Sequence, residues 1–233
     1  MNILEADGAV VYPLDVRYEA DVEDTAAQIV KDYGTIDAVL VNAGFGVYGT
    51  VEDVPGSAVK AQFDVNVFGL VETIKSVLPV MRKNRAGRIV ITSSTAAHVS
   101  TKGMGYYSAT KHAVRAIGTA LRQEVKDFGI DVVMIEPGIV KTDFKENALN
   151  NSYIDDENSP YYPMMGELKS YMLDAFERAP GMTVVKDIML YALLSDKVKP
   201  VYRTDAKSML QNHLIHLVPQ KIYDKIISSI IKR

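Results

Sequence analysis

Cysteine is missing from all 233 residues. Its absence excludes disulfides, thiolate metal sites and a cysteine nucleophile, and it fits a reducing compartment such as the cytoplasm. No uninterrupted run of about 18 apolar residues occurs, so no helix is expected to span a bilayer. The opening Met1-Asn2-Ile3-Leu4-Glu5-Ala6-Asp7 lacks a basic stretch followed by an apolar one, and no secretory signal is expected from it. Positive charge is in deficit: 26 Lys and Arg against 29 Asp and Glu leave a net charge of -3. Such a chain has no basic field for phosphate backbones, and nucleic acid is not an expected partner. The four histidines, His98, His112, His213 and His216, form no ligand grouping with acids, so no metal is expected and they read as surface or core residues. Internal repeats and low-complexity tracts are also absent, which leaves one domain, 1–233, as the default for this length.

What is present alternates short apolar runs with longer segments of helical period, the pattern of βαβ units around a parallel, doubly wound α/β sheet. Ala9–Leu14 predicts a first strand. A helix follows over Glu19–Tyr33, with Val22, Ala26, Ile29 and Val30 on one face and Gly34 as its stop. Ala38–Val41 is apolar throughout, as expected of a strand covered on both faces. A short helix at Ser57–Phe63 leads into a longer one ending at Met81-Arg82-Lys83. A strand at Arg88–Thr92, a helix from Tyr106 to Phe128 stopped by Gly129, and a strand at Asp131–Ile135 continue the alternation.

Residues from about 142 to 180 are richer in Asn, Asp, Tyr, Met and Pro and read as an insertion over the carboxyl edge of the sheet. Its apolar and aromatic members, among them Phe144, Leu149, Tyr153, Tyr161, Tyr162, Met164, Met165, Tyr171 and Met172, suit either a lid over a lipophilic ligand or a cap burying its own face. A helix at Val184–Leu194 and a strand at Val198–Tyr202 resume the fold. The tail carries Ile222, Ile226, Ile227 and Ile230 at helical spacing beside Lys221, Lys225, Lys232 and Arg233, a face that docks on the domain, on a partner subunit or on a membrane surface.

Five features carry chemistry. Tyr107 and Lys111 stand at i and i+4 of a predicted helix and share a face. A free phenol titrates near 10, and a nearby ammonium is expected to draw it down toward a working acid/base range. Ser94 lies at the carboxyl end of a buried strand, where ligands of open α/β sheets bind, 13 residues before Tyr107. It can hold a carbonyl or hydroxyl oxygen while Tyr107 moves the proton. Asn42-Ala43-Gly44 follows Ala38–Val41, and its small residues admit a flat ligand to the backbone. Asn66, a mediocre helix former in a helical segment, can loosen that helix and hold a water that relays protons to Lys111. Pro137–Thr142 follows the strand ending at Ile135 and offers exposed amide and carbonyl groups to a carboxamide. Each feature has a plain alternative as turn chemistry, a local side-chain-to-backbone bond or a solvated helix face.

Taken together and in order, Asn-Ala-Gly at 42–44, the Asn-Ser-Tyr-Lys set at 66, 94, 107 and 111, and Pro-Gly-x-x-x-Thr at 137–142 resemble the short-chain dehydrogenase/reductase family over essentially the whole chain. Within that family, Phe45-Gly46-Val47-Tyr48-Gly49 and Ile135-Glu136-Pro137-Gly138 are most similar to the branch of 17β-hydroxysteroid dehydrogenases. The resemblance implies an oxidoreductase that transfers a hydride between NADP or NAD and a hydroxyl or carbonyl carbon of a small lipophilic alcohol or ketone. It implies Tyr107 as general acid/base, Lys111 on the nicotinamide ribose, Ser94 on the substrate oxygen and Asn66 in the proton relay. It places Asp15 and Val16 at the adenine ring and Asn42, Ala43 and Gly44 along the cofactor cleft. Pro137, Gly138, Val140 and Thr142 would hold the nicotinamide carboxamide. It also implies a homo-oligomer, because the helices carrying Asn66 and Tyr107 form the dimer face in many members.

The family's opening strand, Thr-Gly-x-x-x-Gly-x-Gly turn and pyrophosphate-binding helix have no counterpart before Ala9. The fold is therefore expected to be N-terminally truncated, with Ala9–Leu14 corresponding to the family's third strand. The alternative is that Ala9–Leu14 shifts to pair beside Ala38–Val41 and restores a continuous sheet without a phosphate site. A non-catalytic remnant serving as a binding or oligomerisation module is the competing function. The polypeptide 1–233 is expected to bind NAD(P) only weakly; isothermal titration checks this, and micromolar affinity would contradict it.

Overall fold

The structure is a computed structural model and describes residues 8–142, 144–150, 152–204 and 218–230. Four parallel strands form one sheet in the order β1 (Ala38–Val41), β2 (Gly87–Thr92), β3 (Ile130–Glu136) and β4 (Val201–Arg203). Around them lie α1 (Glu19–Tyr33), α2 (Gly56–Phe63), α3 (Leu70–Asn84), α4 (Gly105–Glu124), α5 (Phe144–Asn150), α6 (Tyr162–Arg178), α7 (Thr183–Leu194) and α8 (Gln220–Ile230). Parallel pairing requires a crossover between successive strands, and the helical segments of the sequence supply it.

Alternation along the strands sorts their side chains to two covered faces. Ile89 and Ile91 of β2 and Val132 and Met134 of β3 meet Leu70, Ile74, Val77 and Met81 of α3 and Val114 and Leu121 of α4. Val90, Val133 and Ile135 point the other way and pack on Ala192, Ile188 and Met189 of α7. In β2 and β3 the continuous apolar runs are buried on both faces; Ala38–Val41, at the edge of the described sheet, buries only Val41, with Val39 and Leu40 half-buried and Ala38 exposed. α4 comes closest to the sheet at Gly118, where an added Cβ would lie 3.1 Å from the Met134 sulfur and 3.2 Å from Ile91 Cδ1. That approach sets how far the amino end of α4 stands above the carboxyl ends of β2 and β3.

Three expectations are corrected. Ala9–Leu14 forms no strand, and it does not shift beside β1, which is an edge of the described sheet. An apolar run without a neighbouring ladder has nothing to pair with, and Val10 and Leu14 remain exposed. β4 starts at Val201 rather than Val198, because Pro200 has no N–H to give a ladder and the Lys199 N–H is taken by the Tyr202 hydroxyl. The helix predicted to run to Phe128 ends at Glu124 and passes through a 3-10 turn, Lys126–Phe128, before Gly129 closes it at φ 71°. His213, His216, Lys232 and Arg233 lie outside the described residues, and in α8 Ile227 is buried while Ile222 and Ile226 are exposed.

Two glycine substitutions should have opposite signs. Gly118→Val overpacks the α4 contact and should destabilise by about 1–3 kcal/mol. Gly166→Ala, on the open face of α6 with nothing within 4 Å of the added methyl, should stabilise by up to about 1 kcal/mol. Urea unfolding of both variants checks the pair; equal signs would contradict the packing described.

Candidate active site

The carboxyl ends of β1, β2 and β3 open onto one region, and the chemistry-bearing residues gather there. β2 ends at Thr92, whose hydroxyl donates to Asn42 Oδ1 at 2.8 Å and joins the ends of β1 and β2. Ser94 follows with an extended backbone. Its hydroxyl oxygen accepts the Ala96 N–H at 3.1 Å and so caps a 3-10 turn, Thr95–Ala97. That cap holds Ser94 beside the phenol of Tyr107, in the first turn of α4, close enough for its hydroxyl to act to lower the pKa of that phenol.

One helical turn on, Lys111 donates its ammonium to the Thr92 carbonyl at 3.0 Å and stands 6.0 Å from the centroid of the Tyr107 ring. Asn66 sits where the helix between α2 and α3 widens into a π-helical stretch, Asp64–Gly69. Widened turns of this kind recur at functional sites because they redirect backbone and side chains. The Asn66 amide accepts the Phe45 N–H and donates to the Phe45 carbonyl, both at 2.9 Å, and donates to the Thr110 hydroxyl at 3.1 Å. It is thereby locked to the loop after β1 on one side and to α4 on the other. A Cβ added to Gly44 would lie 3.2 Å from Asn66 Oδ1 and 3.8 Å from Lys111 Nζ, so glycine leaves a shallow cradle in front of both.

The remaining predicted residues border this centre. Gly138 donates its N–H to the Thr204 hydroxyl at 3.1 Å, Val140 is buried, and the Thr142 hydroxyl accepts the Phe144 N–H at 3.3 Å. A cavity of about 240 Å³ opens between Lys141 and Thr142 on one side and Phe176 and Glu177 of α6 on the other. Asp15 is exposed and held in a fork by Arg17, which lowers its pKa to about 2. Val16 packs against Gly69, at the end of the π-helical stretch.

The 142–180 segment closes over Tyr107. The rings of Tyr48 and Phe144 tilt against the phenol ring at 5.7 and 5.9 Å between centroids. Met165, Leu168, Met172 and Phe176 of α6 complete the apolar cluster around it. Its edge is tied down by Tyr153 N–H to the Tyr48 carbonyl at 2.7 Å, Ser159 to Asp53 at 2.7 Å and Tyr161 to Glu52 at 2.7 Å.

This burial corrects one expectation. Tyr107 was expected to titrate below an ordinary phenol; burial instead raises its pKa to about 12, against the opposing hydrogen bond from Ser94. The ammonium expected to lower it is turned to the Thr92 carbonyl, and burial moves Lys111 itself down to about 8.

The sequence reading passed over Glu136 and His98. His98 Nε2 lies 2.9 Å from Glu136 Oε2, and the two are buried directly behind the Ser94 turn. The available signal was an acid ending a strand that is otherwise apolar in its last four positions, Val132–Ile135.

Comparison with known proteins agrees with this arrangement. The profile described as short chain dehydrogenase matches residues 2–152. A probable short-chain type dehydrogenase/reductase of Helicobacter pylori, VdlC, is 34% identical over 213 residues, covering 91% of this chain and 78% of its own. The NADPH-dependent 3-dehydrocapnine reductase of Ornithobacterium rhinotracheale is 31% identical over 222 residues, covering 91% of this chain and 77% of its own. The crystal structure of a short-chain dehydrogenase from Streptomyces avermitilis superimposes with a TM-score of 0.80 at 26% identity, over 96% of this chain and 82% of that one. The chain belongs to the short-chain dehydrogenase/reductase family, and its parallel sheet with helices on both faces is that family's Rossmann-like fold. No helix among the described residues is long and apolar enough to cross a membrane.

Lys111 makes the site's burial measurable. Folded, it releases its proton near pH 8; unfolded, it holds it to about 10.5. Between those values the unfolded chain binds more protons, so the buried ammonium costs stability below pH 8 and the cost disappears as pH rises. Relative to Lys111→Met, the wild-type chain should gain up to about 3 kcal/mol between pH 8 and 10.5. Denaturant unfolding of both proteins across that range checks it, and a constant difference would contradict the burial.

Proposed function

We propose that the chain is an NAD(P)-dependent oxidoreductase that interconverts a carbonyl and a hydroxyl carbon on a lipophilic substrate, with Tyr107 as the acid/base. The observation that carries this reading is the gathering of the Ser94 hydroxyl and the Tyr107 phenol at the carboxyl edge of the sheet, with the Lys111 ammonium and the Asn66 amide converging on Gly44 beside them. Family membership supports the reaction class, and the NADPH named for the Ornithobacterium reductase supports the nucleotide class.

The residues at the Gly44 cradle suit the nicotinamide and its ribose. Lys111 would present an ammonium to ribose hydroxyls, and Gly44 leaves room for a flat ring. A carboxamide would have to find groups of the Pro137–Thr142 backbone other than the Gly138 N–H and the Pro137 carbonyl, which Thr204 and Thr95 already hold. The 233 residues contain no Thr-Gly-x-x-x-Gly-x-Gly run, so this assignment covers the nicotinamide end, with Asp15 and Val16 assigned to the adenine. Bound there, the nucleotide supplies a hydride to the carbonyl carbon or accepts one from the alcohol.

The chain's own residues manage the oxygen and its proton. The Ser94 hydroxyl holds the substrate oxygen, and the Tyr107 phenol, protonated at neutral pH, donates to it as the carbonyl carbon is reduced. In oxidation the phenolate takes the alcohol proton instead. Lys111, its ammonium held by the Thr92 carbonyl, is assigned to the nucleotide ribose, and Asn66 steadies the widened helix from which a proton path to Lys111 starts.

Substrate must part Phe144 and Tyr48 from Tyr107, so entry trades one apolar contact for another. This trade favours an aliphatic or aromatic substrate over a short polar one, because exposed lid residues need apolar cover. The runs Phe45–Gly49 and Ile135–Gly138 make the 17β-hydroxysteroid dehydrogenase-like branch the nearest family likeness. We assign the 142–180 segment as the lid of a single domain, and the helices bearing Asn66 and Tyr107 as the face of a homo-oligomer.

Tyr107→Phe should lower carbonyl reduction by about 100- to 10,000-fold while leaving nucleotide affinity within about twofold. The check is a panel of long-chain and steroid-like ketones at millimolar NADPH or NADH, and of short polar alcohols at millimolar NADP+ or NAD+. Turnover confined to the short polar alcohols would remove the lipophilic assignment, and a fully active Tyr107→Phe would remove the acid/base role.

A further inference from the structure

Glu136 ends β3 with no exposure at all. A buried carboxylate is costly unless it is paired and hydrogen-bonded, and this one is approached by an imidazole and two guanidinium groups from three segments. Its Oε2 is 2.9 Å from His98 Nε2 and accepts the Arg203 Nε–H at 2.5 Å. Its Oε1 faces Arg115 Nε at 3.8 Å and has no hydrogen-bond partner. Burial acts to raise the pKa of Glu136, but His98 and Arg203 outweigh it and hold the carboxyl below its ordinary value.

The three segments are those that carry the site. His98 follows the turn that Ser94 caps, Arg203 is the last residue of β4, and Arg115 lies one turn beyond Lys111 on α4. Backbone bonds run beside the ionic ones. Ser93 N–H reaches the Ile135 carbonyl at 2.8 Å, and Thr95 N–H reaches the Pro137 carbonyl at 3.0 Å. Gly138 N–H reaches Thr204, next to Arg203, at 3.1 Å. An apolar residue of the same volume could end the strand equally well, but it could not fix the direction of an imidazole and two guanidinium groups.

We propose that Glu136 is a positioning residue: through His98 and Arg203 it holds the Ser94 turn and the Pro137–Thr142 loop in register with α4, so that the Ser94 hydroxyl meets the Tyr107 phenol. This inference rests on the reaction proposed above for its catalytic consequence, but not for its structural one. Reacting groups displaced by a fraction of an ångström lose rate steeply, so a small slip of the Ser94 turn is enough to matter.

The test uses the full chain and three variants, Glu136→Gln, His98→Ala and His98→Gln. In Glu136→Gln, amide hydrogen exchange of Thr95 and Gly138 should accelerate by about tenfold or more while Ile89 and Val133 in the strands stay as protected as in wild type. Turnover per folded molecule should fall by about 10- to 100-fold with little change in the nucleotide dissociation constant, read from NADPH fluorescence. His98→Ala should behave alike, and His98→Gln, which keeps a donor to Glu136, should recover most of the loss. Unchanged exchange at Thr95 and Gly138 would overturn the proposal, as would a uniform rise across all strands. A wild-type chain without oxidoreductase activity that still shows the local exchange change would sink the reaction reading and leave the positioning role standing.

Discussion

The close seating of α4 on the sheet is the constraint from which the site follows. Gly118 lets the helix come close to Ile91 and Met134, and an added Cβ there would press on both side chains at 3.1–3.2 Å. Seated so, α4 carries Tyr107 and Lys111 to the carboxyl ends of β2 and β3, at the height where Ser94 leaves the strand. The Lys111–Thr92 hydrogen bond then spans the gap between helix and strand end, and the Ser94 hydroxyl stands beside the phenol. Packing at the bottom of the helix therefore decides chemistry at its top.

Electrostatically the site is set by exclusion of water. Burial pushes the phenol up to about 12 and the ammonium down to about 8, so each is pushed toward its neutral form. The aromatic lid that causes this also covers the phenol, which makes substrate entry and restoration of the polar environment one event. Glu136 shows the opposite solution in the same neighbourhood: a fully buried carboxyl whose pKa is held down by His98 and Arg203, with Arg115 nearby. One group is kept neutral by isolation and the other charged by company, the first on α4 and the second at the end of β3.

Much of this was legible in the sequence because its causes are local. Ala38–Val41, Arg88–Thr92 and Asp131–Ile135 are short apolar runs between helical periods; in β2 and β3 they are buried on both faces, while β1, at the edge of the described sheet, buries only Val41. Tyr107 and Lys111 declared themselves by i, i+4 spacing, and Asn66 by being a poor helix former in the place where the helix widens. Ala9–Leu14 misled because a strand is made by its neighbour, and periodicity cannot report whether one is present. The pKa of Tyr107 misled for a related reason: the ammonium is near in sequence, but the aromatic cage comes from residues 48 and 144, far away along the chain. Glu136 and His98 were invisible as a pair because 38 residues separate them and His98 carries no motif.

The most direct measurement of the central claim is the titration of Tyr107 itself, followed by NMR in protein labelled at the tyrosine ring carbons. The account predicts a phenol that stays protonated past pH 11 and titrates higher still when Ser94→Ala removes the hydrogen bond that opposes burial. A Tyr107 that titrates near 10 and ignores the loss of Ser94 would contradict it.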